Sequence, residues 1–170
     1  MSAEDPTGAA NPHSGPGEPV FIDTSIALTS GSRIGQAYAP AILEMAGRGV
    51  RRGVSDAIVL QEIADWGRSP LLSIFWGVIE RVFEARPQDW KTAAALAAQF
   101  PGRAPRIYLH VAVMQRHGVR DVYAVSGAGY EGLPGVRLLP LTDVEHWQDD
   151  RIAHEGNGGR ARGMANANRD

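Results

Sequence analysis

The 170-residue chain contains no cysteine, which excludes disulfides, thiolate metal sites and thiol nucleophiles together. Lys91 is its single lysine, and it falls in a helical stretch, so mechanisms that need a catalytic lysine have almost nothing to draw on. No apolar run approaches the roughly 20 residues that span a bilayer, and the first residues lack the basic and apolar blocks of a secretory signal. The expectation is a cytoplasmic protein with no membrane partner. Excess charge of either sign is missing too, the formal net charge being −2 at pH 7. No global field then draws the chain to nucleic acid, and any RNA contact has to be a local patch. What is present is ordinary for a soluble globular protein: 44% hydrophobic and 21% charged residues, in a length that suits one domain with a proper core.

Residues 1–19 are rich in Pro, Gly, Ala and Asn and bury too little apolar surface to offset the entropy of ordering, so they are expected to be a disordered leader. Residues 148–170 turn polar again, with Gly156, Gly158, Gly159 and Gly163 among Arg160, Arg162 and Arg169; a disordered tail is expected there. Between them, residues 20–147 alternate strand and helix patterns. Pro19 to Ile22 reads as a strand, and Gln36 to Ala46 as a helix stopped by Gly47. Val50 to Val54 reads as a strand, and Ser55 as the cap of a helix running to Trp66. Leu71 to Val82 reads as a strongly apolar helix, followed by helices over 89–99 and 106–117. Strands are expected at Asp121 to Ser126 and at Val136 to Leu139. Strands separated by helices imply a parallel sheet, with any ligand at the strands' carboxyl ends.

Asp23 lies at such an end, in Phe-Ile-Asp-Thr-Ser (21–25), and Glu62 lies in Val-Ser-Asp-Ala-Ile-Val-Leu-Gln-Glu-Ile (54–63). Taken singly, Asp23 and Ser25 read as caps of the next helical turn, and Glu62 as a solvated helix residue. Together with Pro-Arg-Ile-Tyr-Leu-His-Val-Ala-Val-Met (105–114) and Val-Ser-Gly-Ala-Gly-Tyr-Glu-Gly-Leu-Pro-Gly-Val (125–136), they form an ordered set that resembles the PIN domain, and within it the VapC-type toxins of type II toxin–antitoxin systems. The resemblance covers about Val20 to Pro140. It implies a three-layer α/β/α sandwich with a central parallel sheet and an acidic edge that holds Mg²⁺ or Mn²⁺ to hydrolyse RNA. It also implies a cognate antitoxin and a homodimer as partners. Hard oxygen ligands suit such ions, whose bound water deprotonates readily and attacks a phosphodiester in line.

By the resemblance, Asp23 and Glu62 match the first two family acids as metal ligands and catalytic groups, with Thr24, Ser25 and Arg106 placed for substrate phosphate. The chain departs from the pattern at the other two acids, where Ile107 and Gly127 stand; Glu131 is the nearest remaining acid. The expected function is a Mg²⁺- or Mn²⁺-dependent endoribonuclease with impaired chemistry. The alternative is an inactive PIN-like module that binds RNA or an antitoxin, with apolar helices around Ile42 and Leu72 as its interface. His110, one turn after Ile107, reads as a hydrogen-bonded structural histidine ahead of a general base, and His117 as a cation favoured by a helix C-terminus.

Three other readings fall away. Gly127 to Gly132 satisfies Gly-x-Gly-x-x-Gly after a strand, but Pro134 and Gly135 leave no room for the helix that a dinucleotide site requires. A phosphoacceptor receiver domain needs a lysine at a later strand end. A haloacid-dehalogenase-type phosphatase needs a second Asp where Ser25 stands.

Overall fold

The computed structural model describes residues 17–28, 33–67, 69–125 and 129–144, side chains at 33–36, 69 and 70 excepted. The expected leader up to residue 16, residues 145–147, the expected tail over 148–170 and Gly127 lie outside the described residues.

Its elements in chain order are β1 (Pro19–Ile22), α1 (Thr24–Leu28), α2 (Arg33–Gly47), β2 (Arg52–Asp56), α3 (Ala57–Asp65), α4 (Ser69–Val78), β3 (Arg81–Phe83), α5 (Pro87–Gln99), α6 (Pro105–Arg116), β4 (Asp121–Tyr123) and β5 (Arg137–Leu138). All strand pairs are parallel, in the order β3-β2-β1-β4-β5. The chain builds outward from β1 through β2 to β3, then crosses back to the other side of β1. Right-handed crossovers therefore put α1 to α4 on one face and the α5–α6 hairpin on the other, the α/β/α sandwich expected from the sequence.

β1 is central and buried on both faces, which is why Val20, Phe21 and Ile22 form an unbroken apolar run, each 0% exposed. Beside it, Gly53 of β2 lets α2 come close: a Cβ there would lie 2.9 Å from the Ala46 Cβ and 3.2 Å from Ile22 Cδ1. At the amino ends of the strands, buried Asp121 ties three segments together, accepting from Arg51 Nη2 at 2.7 Å and from Arg137 Nε and Nη2 at 2.7 and 2.8 Å.

Several boundaries differ from the sequence reading. The strand expected at 50–54 runs from Arg52 to Asp56, and the cap of the next helix is Asp56, not Ser55. One Asp56 oxygen accepts from Ile58 N–H at 3.1 Å and Val59 N–H at 3.0 Å, while the buried Ser55 hydroxyl donates to the Ile22 carbonyl at 3.0 Å. The apolar helix ends at Val78, and Val82 belongs to the edge strand β3. The strand expected over Asp121 to Ser126 ends at Tyr123. Residues 129–136 form turns and no helix, in keeping with the rejected dinucleotide motif.

Candidate functional site

The strand order reverses at β1, flanked by β2 on one side and β4 on the other. In open α/β sheets the crevice at such a reversal, at the carboxyl ends of the strands, is the usual ligand position. Asp23 follows β1 there. Its own N–H continues the ladder to the Tyr123 carbonyl at 3.1 Å, and one carboxylate oxygen accepts from the Ser25 N–H at 2.8 Å. Its carbonyl accepts from Ile26 N–H at 3.0 Å. Asp23 thus caps the short helix α1, and the Ser25 hydroxyl fixes that turn to the chain after β4 by accepting from Val125 N–H at 3.0 Å.

Glu62 reaches the same place from α3. One of its oxygens accepts from the Thr24 hydroxyl, and the other faces Arg106 Nε of α6 at 3.2 Å. The second Asp23 oxygen accepts from the Tyr130 hydroxyl at 2.7 Å. The fold therefore brings Asp23, Thr24, Ser25, Glu62 and Arg106 together: three carboxylate oxygens of the acid pair accept a hydrogen bond from the protein, and the fourth, Glu62 Oε1, is paired with the Arg106 guanidinium. Burial, then the neighbouring Asp23 charge, push the Tyr130 hydroxyl pKa well above 10.0, so it stays a proton donor to Asp23.

Ile107 sits in the core at 7% exposure. A Cβ on Gly129 would lie 2.8, 3.1 and 3.2 Å from Ile107 Cγ1, Cδ1 and Cγ2, so the isoleucine fills the space under the loop that follows β4. Glu131 is exposed; it enters this region through its carbonyl, which accepts from Arg103 Nη2 at 2.7 Å. Among the described residues no three His, Asp or Glu side chains gather closely enough to hold a metal ion. A divalent cation needs oxygens turned toward it and charge left to neutralise. Here both carboxylates are engaged and one already faces a guanidinium, so the residues present do not fit a bound Mg²⁺ or Mn²⁺ in this arrangement.

Two further residues complete the edge. His110 Nδ1 lies 2.7 Å from the Asp56 oxygen not used in capping α3, and both side chains are 0% exposed. His110 Nε2 has no partner among the described residues, and its ring tilts against Phe21 at 5.5 Å. Burial pushes the imidazole pKa down, but the hydrogen bond and charge of Asp56, with Asp23 and Glu62 adding, hold it above 6.5. Sequence reasoning passed over Asp56 and Tyr130 as partners. For Asp56 the signal was available, an acid at a strand end three residues before the apolar face of a helix; for Tyr130 a loop residue had to be folded back to be found.

No protein-family model matches the chain, and no curated protein matches it in sequence. Solved structures do match in fold. A toxin–antitoxin complex from Klebsiella pneumoniae aligns at 15% identity and TM-score 0.50, covering 69% of this chain and 95% of that one. VapBC2 from Rickettsia felis, solved bound to a DNA fragment from its promoter, aligns at 13% identity and TM-score 0.53, covering 71% and 96%. The chain has the VapC-type PIN fold.

Proposed function

We propose that this VapC-type PIN fold serves as a toxin–antitoxin-like binding module whose acidic edge does not cut RNA. The observation that carries the reading is the engagement of all four oxygens of Asp23 and Glu62, three by hydrogen bonds from Ser25, Tyr130 and Thr24 and one by the ion pair with Arg106. With Ile107 packed below the loop, two-metal chemistry finds neither its ligands nor its open space among the described residues.

Binding has a surface to use. A groove of about 660 Å³ runs between α1, α2 and α4, floored by side chains such as Ile26, Leu43, Leu71 and Val78, with Glu44 and Arg48 among its lining residues. Ile74, which also lines it, is 53% exposed. Such a groove takes the apolar face of an amphipathic helix, which is the form of partner an antitoxin would supply. Ile42, expected in this interface, is 0% exposed and belongs to the core. Trp66 and Trp76, 66% and 62% exposed, are the apolar surface on which a homodimer would draw.

The second reading is a ribonuclease working with one Mg²⁺ or Mn²⁺ on Asp23 and Glu62. It is favoured by the convergence of these two acids at the switch point and by Arg106, whose side chain is 53% exposed and able to meet a phosphate. The deciding experiment incubates a mixed pool of structured RNAs with the protein and Mn²⁺ or Mg²⁺, beside a chelator control and the Asp23→Asn protein. The binding-module reading expects no metal-dependent cutting by the folded wild type. Cutting that requires metal and disappears in Asp23→Asn overturns it in favour of the one-metal nuclease.

A further inference from the structure

On the β3 edge of the sheet, away from the acid pair, lies a small cavity of about 190 Å³ lined by Arg81, Val82, Phe83, Glu84, Arg86, Arg116 and His117. Arg106 and His117 are eleven positions apart on α6 and its cap, so about 16 Å of helix separates this cavity from the Arg106–Glu62 pair. Arg116 is fixed in place: its Nε donates to Asp89 Oδ1 at 2.8 Å, and its Nη2 to Asp89 Oδ2 at 3.0 Å and to the Glu84 carbonyl at 2.6 Å. Arg81 and Arg86 are exposed and, among the described residues, neither makes an ion pair. The Arg81 guanidinium lies over the Phe83 ring at 5.7 Å, and Phe83 in turn stacks on His117 at 3.7 Å and 10°. That stack holds the imidazole at the cavity wall.

His117 reports the field inside. It caps α6, and a helix C-terminus favours a cation, so the sequence alone points to a readily protonated imidazole. The structure reverses this. Burial first, then the charges of Arg116, Arg81 and Arg86, lower its pKa below 6.5, against the opposing influence of Asp89. Glu84 is the remaining acid at the wall, against the two arginines Arg81 and Arg86. Arg116 is already paired with Asp89, so it is the guanidiniums of Arg81 and Arg86 that leave positive potential at a cavity preformed on its Arg116 side.

We propose that this cavity binds a phosphate group, with Arg81 and Arg86 as its charged contacts, Arg116 as the fixed donor and His117 beside it. A phosphate oxyanion matches the planar donor forks of arginine, and a local basic patch is what a chain of net charge −2 needs to hold one. The proposal is independent of whether the acidic edge cuts RNA. Free inorganic phosphate and the diester of a nucleic-acid strand share this chemistry.

The test is NMR titration of the His117 ring in the full chain, assigned with His117→Gln, at constant ionic strength in chloride, in inorganic phosphate and in a short single-stranded oligonucleotide. An anion that prefers the protonated imidazole about tenfold raises the titration midpoint by about one unit. The expected result is a rise in phosphate, in oligonucleotide or in both over chloride, absent from the Arg81→Ala/Arg86→Ala protein. A response to the oligonucleotide alone identifies a strand as the source; a response to inorganic phosphate identifies a site for the free ion as well. An unchanged midpoint in both, or a rise that survives removal of the two arginines, overturns the proposal. The variant's amide spectrum establishes that it is folded, and its His117 midpoint without phosphate should already lie above that of the wild type.

Discussion

Changing Asp56 to asparagine should destabilise the protein more in acid than in mild base. Asp56 is fully buried and has two tasks, capping α3 through Ile58 and Val59 and holding His110 at 2.7 Å. Asparagine is as good an N-cap as aspartate, so Asp56→Asn keeps the first task and removes only the charge facing the imidazole. A hydrogen bond to a charged group contributes about 1.5–3 kcal/mol and a neutral one about 0.5–1.5, so losing the carboxylate costs about 1 kcal/mol while His110 is neutral, and the ion pair with protonated His110 adds about 1–2 kcal/mol in acid. The sign follows from the raised pKa of His110: its stabilisation is fully present below about pH 6.5 and is lost as pH rises through the folded-state value. Urea unfolding of both proteins at about pH 5.5 and about pH 8.5 measures the gap. His117 titrates with the opposite sign, but it does so in both proteins and cancels from the difference. Asp56→Ala, lacking cap and partner alike, should lose about 4–6 kcal/mol, a large part of a domain's total of about 5–15. A loss in Asp56→Asn that is equal at the two pH values, or larger in base, refutes the account.

Two other substitutions probe the acidic edge. Gly129→Ala should cost about 1–3 kcal/mol by overpacking, because all three atoms approached belong to the β-branched Ile107; chemical denaturation of Gly129→Ala beside Gly129→Ala/Ile107→Ala checks it, and no recovery in the double variant would count against the contact. Ile107→Asp should lower Tm without metal, since a carboxylate replaces a buried side chain near Asp23 and Glu62, and Mn²⁺ at about 100 times its Kd should restore about 2.7 kcal/mol. Mn²⁺ that raises the Tm of the wild type by as much would show the existing pair to be a metal site already.

What was legible in the sequence and what was not divides along physical lines. The burial of β1 on both faces wrote itself as an apolar run, and α5 and α6 carried enough periodicity to be placed within two residues of their ends. β3 was hidden because Val82 continues the apolar series of α4 and three residues are too few to show alternation. Ser55 was taken for the cap because serine is a common one; the choice of Asp56 depends on strand register, which puts Asp56 opposite Phe83 and Ser55 toward the Ile22 carbonyl. The candidate residues and the local cap at Asp23 and Ser25 were found, but the bonds between elements were not, because they join residues far apart in the chain: 38 positions for Thr24 and Glu62, 107 for Tyr130 and Asp23.

Those long-range bonds also bear on why two acids can stay at a sheet edge without a cation between them. Clustered carboxylates repel, and a metal ion is one way to relieve that repulsion. Here the relief comes from donors built into the fold. Asp23 is served by the amino end of α1 and by a hydroxyl held protonated by burial, while Glu62 is served by Thr24 and a guanidinium. Nearby, the buried imidazole of His110 adds a further group that these acids favour in its charged form. The donors come from α1, α6 and the loop after β4, and Glu62 itself from α3, so the acid pair holds these four segments in register. The same side chains thereby acquire a structural reason to persist at this edge, one that does not depend on catalysis.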